Sequence, residues 1–244
     1  MLAYKQFGSG PLLVILHGLF GSGDNWQTLA KQFADHHTVV TVDLINHGLS
    51  PHRDTMSYSE MARDAHELIV HLNMGPAILL GHSMGGKVAM QVCSDYPDDV
   101  SRLIVADIAP KRYLPHHQEI LEALSKRDVS SIEPPSLRQF LLKSRRRTET
   151  GFMWLLNIPA IQAEYLKIMD APLLREGIDV PTLFLKGILS DYILESDMPE
   201  IYHYFPHAIF IEVKRAGHWL HAENPVDFFN AVDEFTRSGD NEGI

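Results

Sequence analysis

The chain has 244 residues, 45% apolar and 21% charged, enough for one large α/β domain or two small ones. Its net charge of −10 repels polyanions at long range and argues against nucleic acid as a partner. The one cysteine, Cys93, excludes an intrachain disulfide and fits a reducing compartment.

The amino-terminal residues hold no long apolar stretch. The run Leu12–Leu16 reads as a buried strand and is too short for a signal sequence or a membrane span. A cytoplasmic protein is expected. A glycine-bearing loop follows, His17-Gly18-Leu19-Phe20-Gly21-Ser22-Gly23, and then a helix over 25–33 with Trp26, Leu29, Ala30 and Phe33 on one face. The loop lacks the glycine order and the Lys-Ser/Thr ending of a nucleotide cradle. It reads instead as half of an oxyanion hole, with the N–H of Leu19 or Phe20 as donor. A second buried strand ends at Asp43. Residues 46–51 form its turn, tied by local hydrogen bonds from Asp43 and Ser50.

A helix with Met61, Ala65, Leu68, Ile69 and Leu72 on one stripe stops at Gly75-Pro76. Next comes the stretch that organises the chain, Ala77-Ile-Leu-Leu-Gly81-His82-Ser83-Met84-Gly85-Gly86. A strand that turns directly into a helix through Gly-x-Ser-x-Gly lifts the Ser83 hydroxyl above the sheet and aims the Met84 N–H at whatever Ser83 attacks. Residues 100–108 are a further buried strand with Asp107 near its end. So far strands and helices alternate, which predicts a parallel sheet covered on both faces, with ligands at the carboxyl ends of its strands.

Residues 110–179 break that rhythm. Helical stretches are expected at 116–126, 136–146 and roughly 150–169, and about 70 residues without a buried strand predict a helical cap inserted between strands. This divides the chain into a core, 1–109 with 180–244, and a cap, 110–179. Met153, Trp154 and Leu155 are expected to close an apolar substrate pocket. The basic run Lys143-Ser-Arg145-Arg146-Arg147 reads mainly as a solvated helix end, with Arg145 and Arg146 as the candidates for an anionic handle on the substrate.

The sheet resumes with strands at 180–187 and 208–213, and a last helix begins at Pro225. The tail from Arg237 is polar and is expected to fray. A serine hydroxyl needs a base within hydrogen-bond reach, and His218, late in the chain, is favoured over its neighbour His221. Two carboxylates compete to orient it. Asp191 follows the strand after the cap, the usual place, and is favoured. Asp107 ends the strand after the nucleophile helix.

Together HGLFGSGDNW, DLINHGLSPH, GHSMGGKVAM, VADIAPKRY, SDYI and AGHWLHAENP resemble the α/β-hydrolase superfamily, and within it the small YbfF-type esterases. The resemblance covers nearly the whole core. It implies an α/β-hydrolase fold and a serine esterase acting on acyl esters or thioesters, including acyl-CoA, with Ser83 as nucleophile and His218 as base. The family's ADIAP aspartate, here Asp107, is also a candidate acid. The chain departs from the family at Ile45, Lys111 and Gly187-Ile188-Leu189. No metal or organic cofactor is implied, and the expected partner is a small-molecule ester or thioester, with the protein a monomer or homodimer. Carbon–carbon bond hydrolysis, perhydrolysis and a non-catalytic ligand-binding role on the same fold are the alternatives.

Overall fold

The apolar runs at 12–16, 38–42 and 77–82 form strands buried on both faces, and those strands set the architecture. The computed structural model describes residues 1–149 and 151–237; the tail expected to fray lies, from residue 238 onwards, outside them. In chain order the elements begin with β1 (Tyr4–Phe7), β2 (Leu12–Leu16), α1 (Gln27–Phe33), β3 (Thr38–Val42) and α2 (Tyr58–Leu72). Then come β4 (Ala77–His82), α3 (Met84–Asp95) and β5 (Val100–Ala106). The insert holds α4 (Gln118–Ser125), α5 (Pro135–Lys143), β6 (Arg145–Thr148), β7 (Gly151–Trp154), α6 (Ile158–Ala163) and α7 (Tyr165–Met169). The chain closes with β8 (Thr182–Gly187), α8 (Met198–Tyr204), β9 (Ile209–Val213), α9 (Leu220–Glu223) and α10 (Pro225–Arg237).

Seven strands make one sheet in the order β1-β3-β2-β4-β5-β8-β9. All pairs are parallel except the edge pair of β1 with β3. β1 has no buried run, only the pattern Tyr-Lys-Gln-Phe at a solvated edge, and the sequence reading contains no strand there. The two-residue period of β2 divides the core. Leu13 and Ile15 pack with Trp26, Phe33, Phe228 and Val232 on the α1/α10 face, while Val14 and Leu16 pack with Met61, Leu68 and Val88 on the α2/α3 face. α2 starts at a Ser57 side chain that accepts from the Glu60 N–H and ends at Asn73 in the left-handed conformation.

The insert between β5 and β8 departs from expectation in one place. Residues 150–169 do not form one helix. β6 and β7 make an antiparallel hairpin instead, and two short helices follow. Gly151 has φ 140°, a backbone state closed to a helix, and Pro159 lacks the N–H that a continuous helix would need. The hairpin register sets Arg145 opposite Trp154, and its guanidinium lies 4.8 Å from the Phe152 ring centre and 5.7 Å from that of Trp154. The basic run is thus a strand, with only Lys143 in a helix end. None of the helices among the described residues is long and apolar enough to cross a membrane.

The tightest point of the fold is the crossing of β4 and α3. A Cβ on Gly85 would lie 2.3 Å from the Leu16 carbonyl oxygen and 2.5 Å from that of His17. Backbone cannot retreat there without shifting a central strand. Gly85→Ala is expected to destabilise the protein by about 3 kcal/mol or more, seen as a lower denaturant midpoint at unchanged slope.

Candidate active site

Ser83 sits at the turn between β4 and α3 with φ 54° and ψ −120°, a conformation that costs energy for any residue with a side chain. Its neighbours hold it there. The Ser83 N–H donates to the Ala106 carbonyl at 3.0 Å, and the Ser83 carbonyl accepts from Gly86 at 2.9 Å and Lys87 at 3.2 Å. The side chain is thereby presented at the carboxyl end of the sheet. Met84 is the first residue of α3, so its N–H has no partner within the helix.

His218 follows β9 and reaches back over the sheet. Its Nε2 lies 3.0 Å from Ser83 Oγ and its Nδ1 2.8 Å from Asp107 Oδ2. A carboxylate can only accept, so Nδ1 carries the proton and Nε2 is free to accept from the serine hydroxyl. Asp107 is fully buried and also adopts a left-handed turn, φ 52°, just beyond β5. Its Oδ1 accepts the Gly187 N–H at 3.0 Å, and its Oδ2 also accepts the hydroxyl of Ser190. Asp191, the acid favoured from sequence position, points to solvent, and its carboxylate makes no hydrogen bond among the described residues. The correction has a local cause. The loop after β8 turns Ser190 inward, and the next residue is then directed outward. Tyr192 comes back to stack flat on His218, with ring centres 3.6 Å apart and planes 16° apart. Ser190 and Tyr192 are site residues that sequence reasoning missed; they flank the favoured aspartate, and the loop was legible where its inward-facing members were not.

The glycine loop after β2 passes directly against the elbow: a Cβ on Gly18 would lie 3.2 Å from Ser83 Cβ. Phe20, at φ 65°, donates its N–H to His47 Nε2 at 3.2 Å, which turns it away from Ser83. Leu19, whose N–H is not engaged in this way, lines the same small cavity as Ser83 and Met84. Two neutral histidines build this loop. His17 Nε2 accepts the Leu44 N–H at 3.0 Å and its Nδ1–H donates to the Gly18 carbonyl at 2.8 Å. His47 Nδ1–H donates to the Ile45 carbonyl at 2.9 Å. Burial lowers the His17 pKa to about 4, and burial with the neighbouring His17 lowers that of His47 to about 3. His82, beside the nucleophile, donates from Nε2 to the His218 backbone carbonyl at 2.7 Å and joins the elbow to the histidine loop. Its pKa is driven well down by burial first, then by His221 and His218. His221 lies stacked on Trp26 at 4.3 Å and borders the cavity over Ser83 without a hydrogen bond to that serine among the described residues.

A cavity of about 270 Å³ opens above Ser83 and His218, roofed by His116, His117, Leu137 and Phe140 of the insert. The expected substrate residues are elsewhere. Met153 is exposed on the hairpin, and Trp154 packs against the core beneath it. Arg146 and Leu155 border a separate hollow near Lys5 and Asp24, and Arg145 leans on its own hairpin. The insert touches the site through other atoms: Ser144 Oγ donates to the Phe20 carbonyl at 2.9 Å, steadying the glycine loop.

The alpha/beta hydrolase family model matches residues 13–232. The mouse sn-1-specific diacylglycerol lipase ABHD11 is 38% identical over 92% of this chain and 80% of its own length. Esterase YbfF of Escherichia coli is 33% identical over 96% of this chain and 95% of its own. The solved structure of a marine microorganism esterase superposes with a TM-score of 0.92 at 42% identity, covering 96% of this chain and 98% of that one. The seven-stranded sheet, the serine elbow and these matches agree, and the chain belongs to the alpha/beta hydrolase family.

Proposed function

We propose that this protein is a serine esterase acting on small-molecule carboxylic esters, with Ser83, His218 and Asp107 as its catalytic triad. The observation that carries the reading is the unbroken hydrogen-bond line from Ser83 Oγ through His218 to the buried Asp107. Relatives named esterase and lipase along nearly the whole chain support the reaction class.

The steps follow from the positions. His218 Nε2 takes the proton as Ser83 Oγ bonds to the ester carbonyl carbon. The oxyanion is held by the N–H groups of Met84 and Leu19. Asp107 stabilises the imidazolium and fixes its tautomer. The C–O bond to the leaving group breaks, and the His218 proton goes to the departing oxygen. Water then gives a proton to Nε2 and attacks the acyl carbon. The acyl–Ser83 bond breaks, Ser83 recovers the proton, and the acid leaves. The insert 110–179 acts as a cap that completes the pocket through His116, His117, Leu137 and Phe140.

Ser83→Ala is expected to lower kcat for p-nitrophenyl acetate by at least ~10⁴-fold, with an unchanged circular dichroism spectrum. Asp107→Asn should cost on the order of 10⁴ in kcat/KM because the amide favours the wrong tautomer, while Asp191→Asn should stay within about threefold, as a solvated carboxylate is worth little; steady-state kinetics on both variants decides. The buried histidines give a pH signature. Their folded pKa values lie below the unfolded value of 6.5, at about 4 for His17 and about 3 for His47, His117 and His221. The unfolded chain therefore binds more protons below pH 6.5, and stability falls as pH drops from 6.5 towards 4. Tm should decline steadily between pH 7 and 5; a flat Tm across that range would contradict neutral histidines as struts.

A further inference from the structure

Beside Ser83 lies a space of about 20 Å³, close to a single water position, bordered by Leu19 and Met84, whose N–H groups receive the oxyanion. Several side chains with polar hydrogens share that border, and nearly all are engaged elsewhere. Tyr58 donates its hydroxyl to the Ile168 carbonyl. Lys87 Nζ donates to the Asp170 carbonyl at 2.6 Å and the Met169 carbonyl at 3.5 Å, and lies 4.7 Å from the ring centre of Tyr113. Tyr113 donates to the Tyr192 carbonyl at 2.6 Å. His116 Nδ1–H donates to the Leu114 carbonyl at 2.8 Å, so its Nε2 is the acceptor and takes the Tyr192 hydroxyl at 2.6 Å. His117 is the exception.

The tautomer of His117 follows from Tyr165. The buried Tyr165 oxygen accepts two backbone N–H groups, that of His116 at 3.0 Å and that of His117 at 2.8 Å. Its lone pairs are then used, and its own proton goes to His117 Nδ1, 2.9 Å away. The ring is neutral, since burial first, and then His116 and His218, lower its pKa to about 3. A neutral imidazole that accepts at Nδ1 carries its proton on Nε2. That N–H has no partner among the described residues. Tyr165 borders neither cavity at Ser83, whereas His117 borders both. With Nδ1 turned to Tyr165, the opposite edge of the ring, Nε2 with Cδ2, is left to face them.

Resting on the serine-esterase reading, we propose that His117 is a catalytic residue whose Nε2–H is a third donor to the oxyanion, supplied by the insert. As Ser83 Oγ bonds to the carbonyl carbon, the C=O π pair moves onto the oxygen. His117 meets that charge and keeps its proton. A neutral donor suits the task, because its bond strengthens only as the oxygen becomes anionic. The Tyr165 hydroxyl holds the ring in place, so the donor needs no reorganisation at that moment. The oxyanion hole then draws on the glycine loop, the nucleophile helix and the insert together.

Three variants test the assignment on p-nitrophenyl acetate and butanoate. His117→Phe is expected to lower kcat and kcat/KM alike, by about a hundredfold, as loss of a donor used only in the transition state does. His117→Gln and His117→Asn separate that role from a structural one. The glutamine amide nitrogen overlays Nε2 and restores the donor. The asparagine amide overlays Nδ1 and keeps only the bond to Tyr165. Gln should therefore recover kcat to within about tenfold of wild type, while Asn stays as low as Phe, with circular dichroism spectra unchanged. A Phe variant as active as wild type, or a Gln variant no better than Asn, would overturn the proposal and leave the esterase reading intact. No turnover of either ester by the wild type would overturn both. Should the Phe variant not fold, the comparison of Gln with Asn decides.

Discussion

The buried carboxylate of Asp107 is the constraint on which the site depends. A fully buried anion is tolerated only where donors surround it. Here three donors do so, from three parts of the chain: the Gly187 N–H at the end of β8, the Ser190 hydroxyl in the next loop, and His218 Nδ1 after β9. Each donor fixes a loop that would otherwise be free to choose its path. The ring of His218 is therefore positioned by the same group that ties together the loops after β8 and β9. Without the carboxylate the ring of His218 would keep its stacking on Tyr192 but lose the hydrogen bond that selects its tautomer.

The strained elbow is the second half of that arrangement. Ser83 keeps φ 54° because β4 is pinned between β2 and β5, and because α3 presses its glycines against the β2 backbone. The sheet contributes rigidity through β2, β3 and β4, which are buried throughout, so a local cost of order 1–3 kcal/mol at one residue is borne by the whole core. His82 then ties the elbow to the backbone of His218 across the sheet. Ser83 and His218 are thus linked twice, once through their side chains and once through this strut. The second link sets their separation with no substrate in place.

What could be read from the sequence was whatever a short local pattern dictates. Ser83 is fixed by two glycines and a strand-to-helix change, all within a few residues, and His218 by its place beyond the last strand. The parallel sheet follows from runs such as Leu12–Leu16 that have no other means of burial. Which of the two aspartates meets His218 was not legible, because what separates Asp107 from Asp191 is a single left-handed turn after β5 and the direction of one loop residue after β8. No periodicity records either. The hairpin was missed for a related reason: Met153, Trp154 and Leu155 are as apolar as a buried helix face, and only the barriers at Gly151 and Pro159 forbid one. Once the strand forms, its alternation sends Met153 outward and Trp154 to the core, and the residues expected over the substrate are drawn away from it. The pocket is roofed instead by α5, through Leu137 and Phe140.

The histidines explain how the glycine loop after β2 can be both close-packed and preorganised. A neutral imidazole has a donor at one end and an acceptor at the other, spaced to bridge two backbone groups. His17 joins the glycine loop to the backbone after β3 in this way, and His47 does the reverse, joining the turn after β3 to Phe20. The two rings lie 5.0 Å apart, so each also disfavours charge on the other. Protonation at Nε2 would set one N–H against another and release the Phe20 backbone from its left-handed turn. Such a loop can hold its donors ready only while it stays dry, and its dryness is what depresses the pKa values. The burial that holds the glycine loop against Ser83 thus also makes it sensitive to acid.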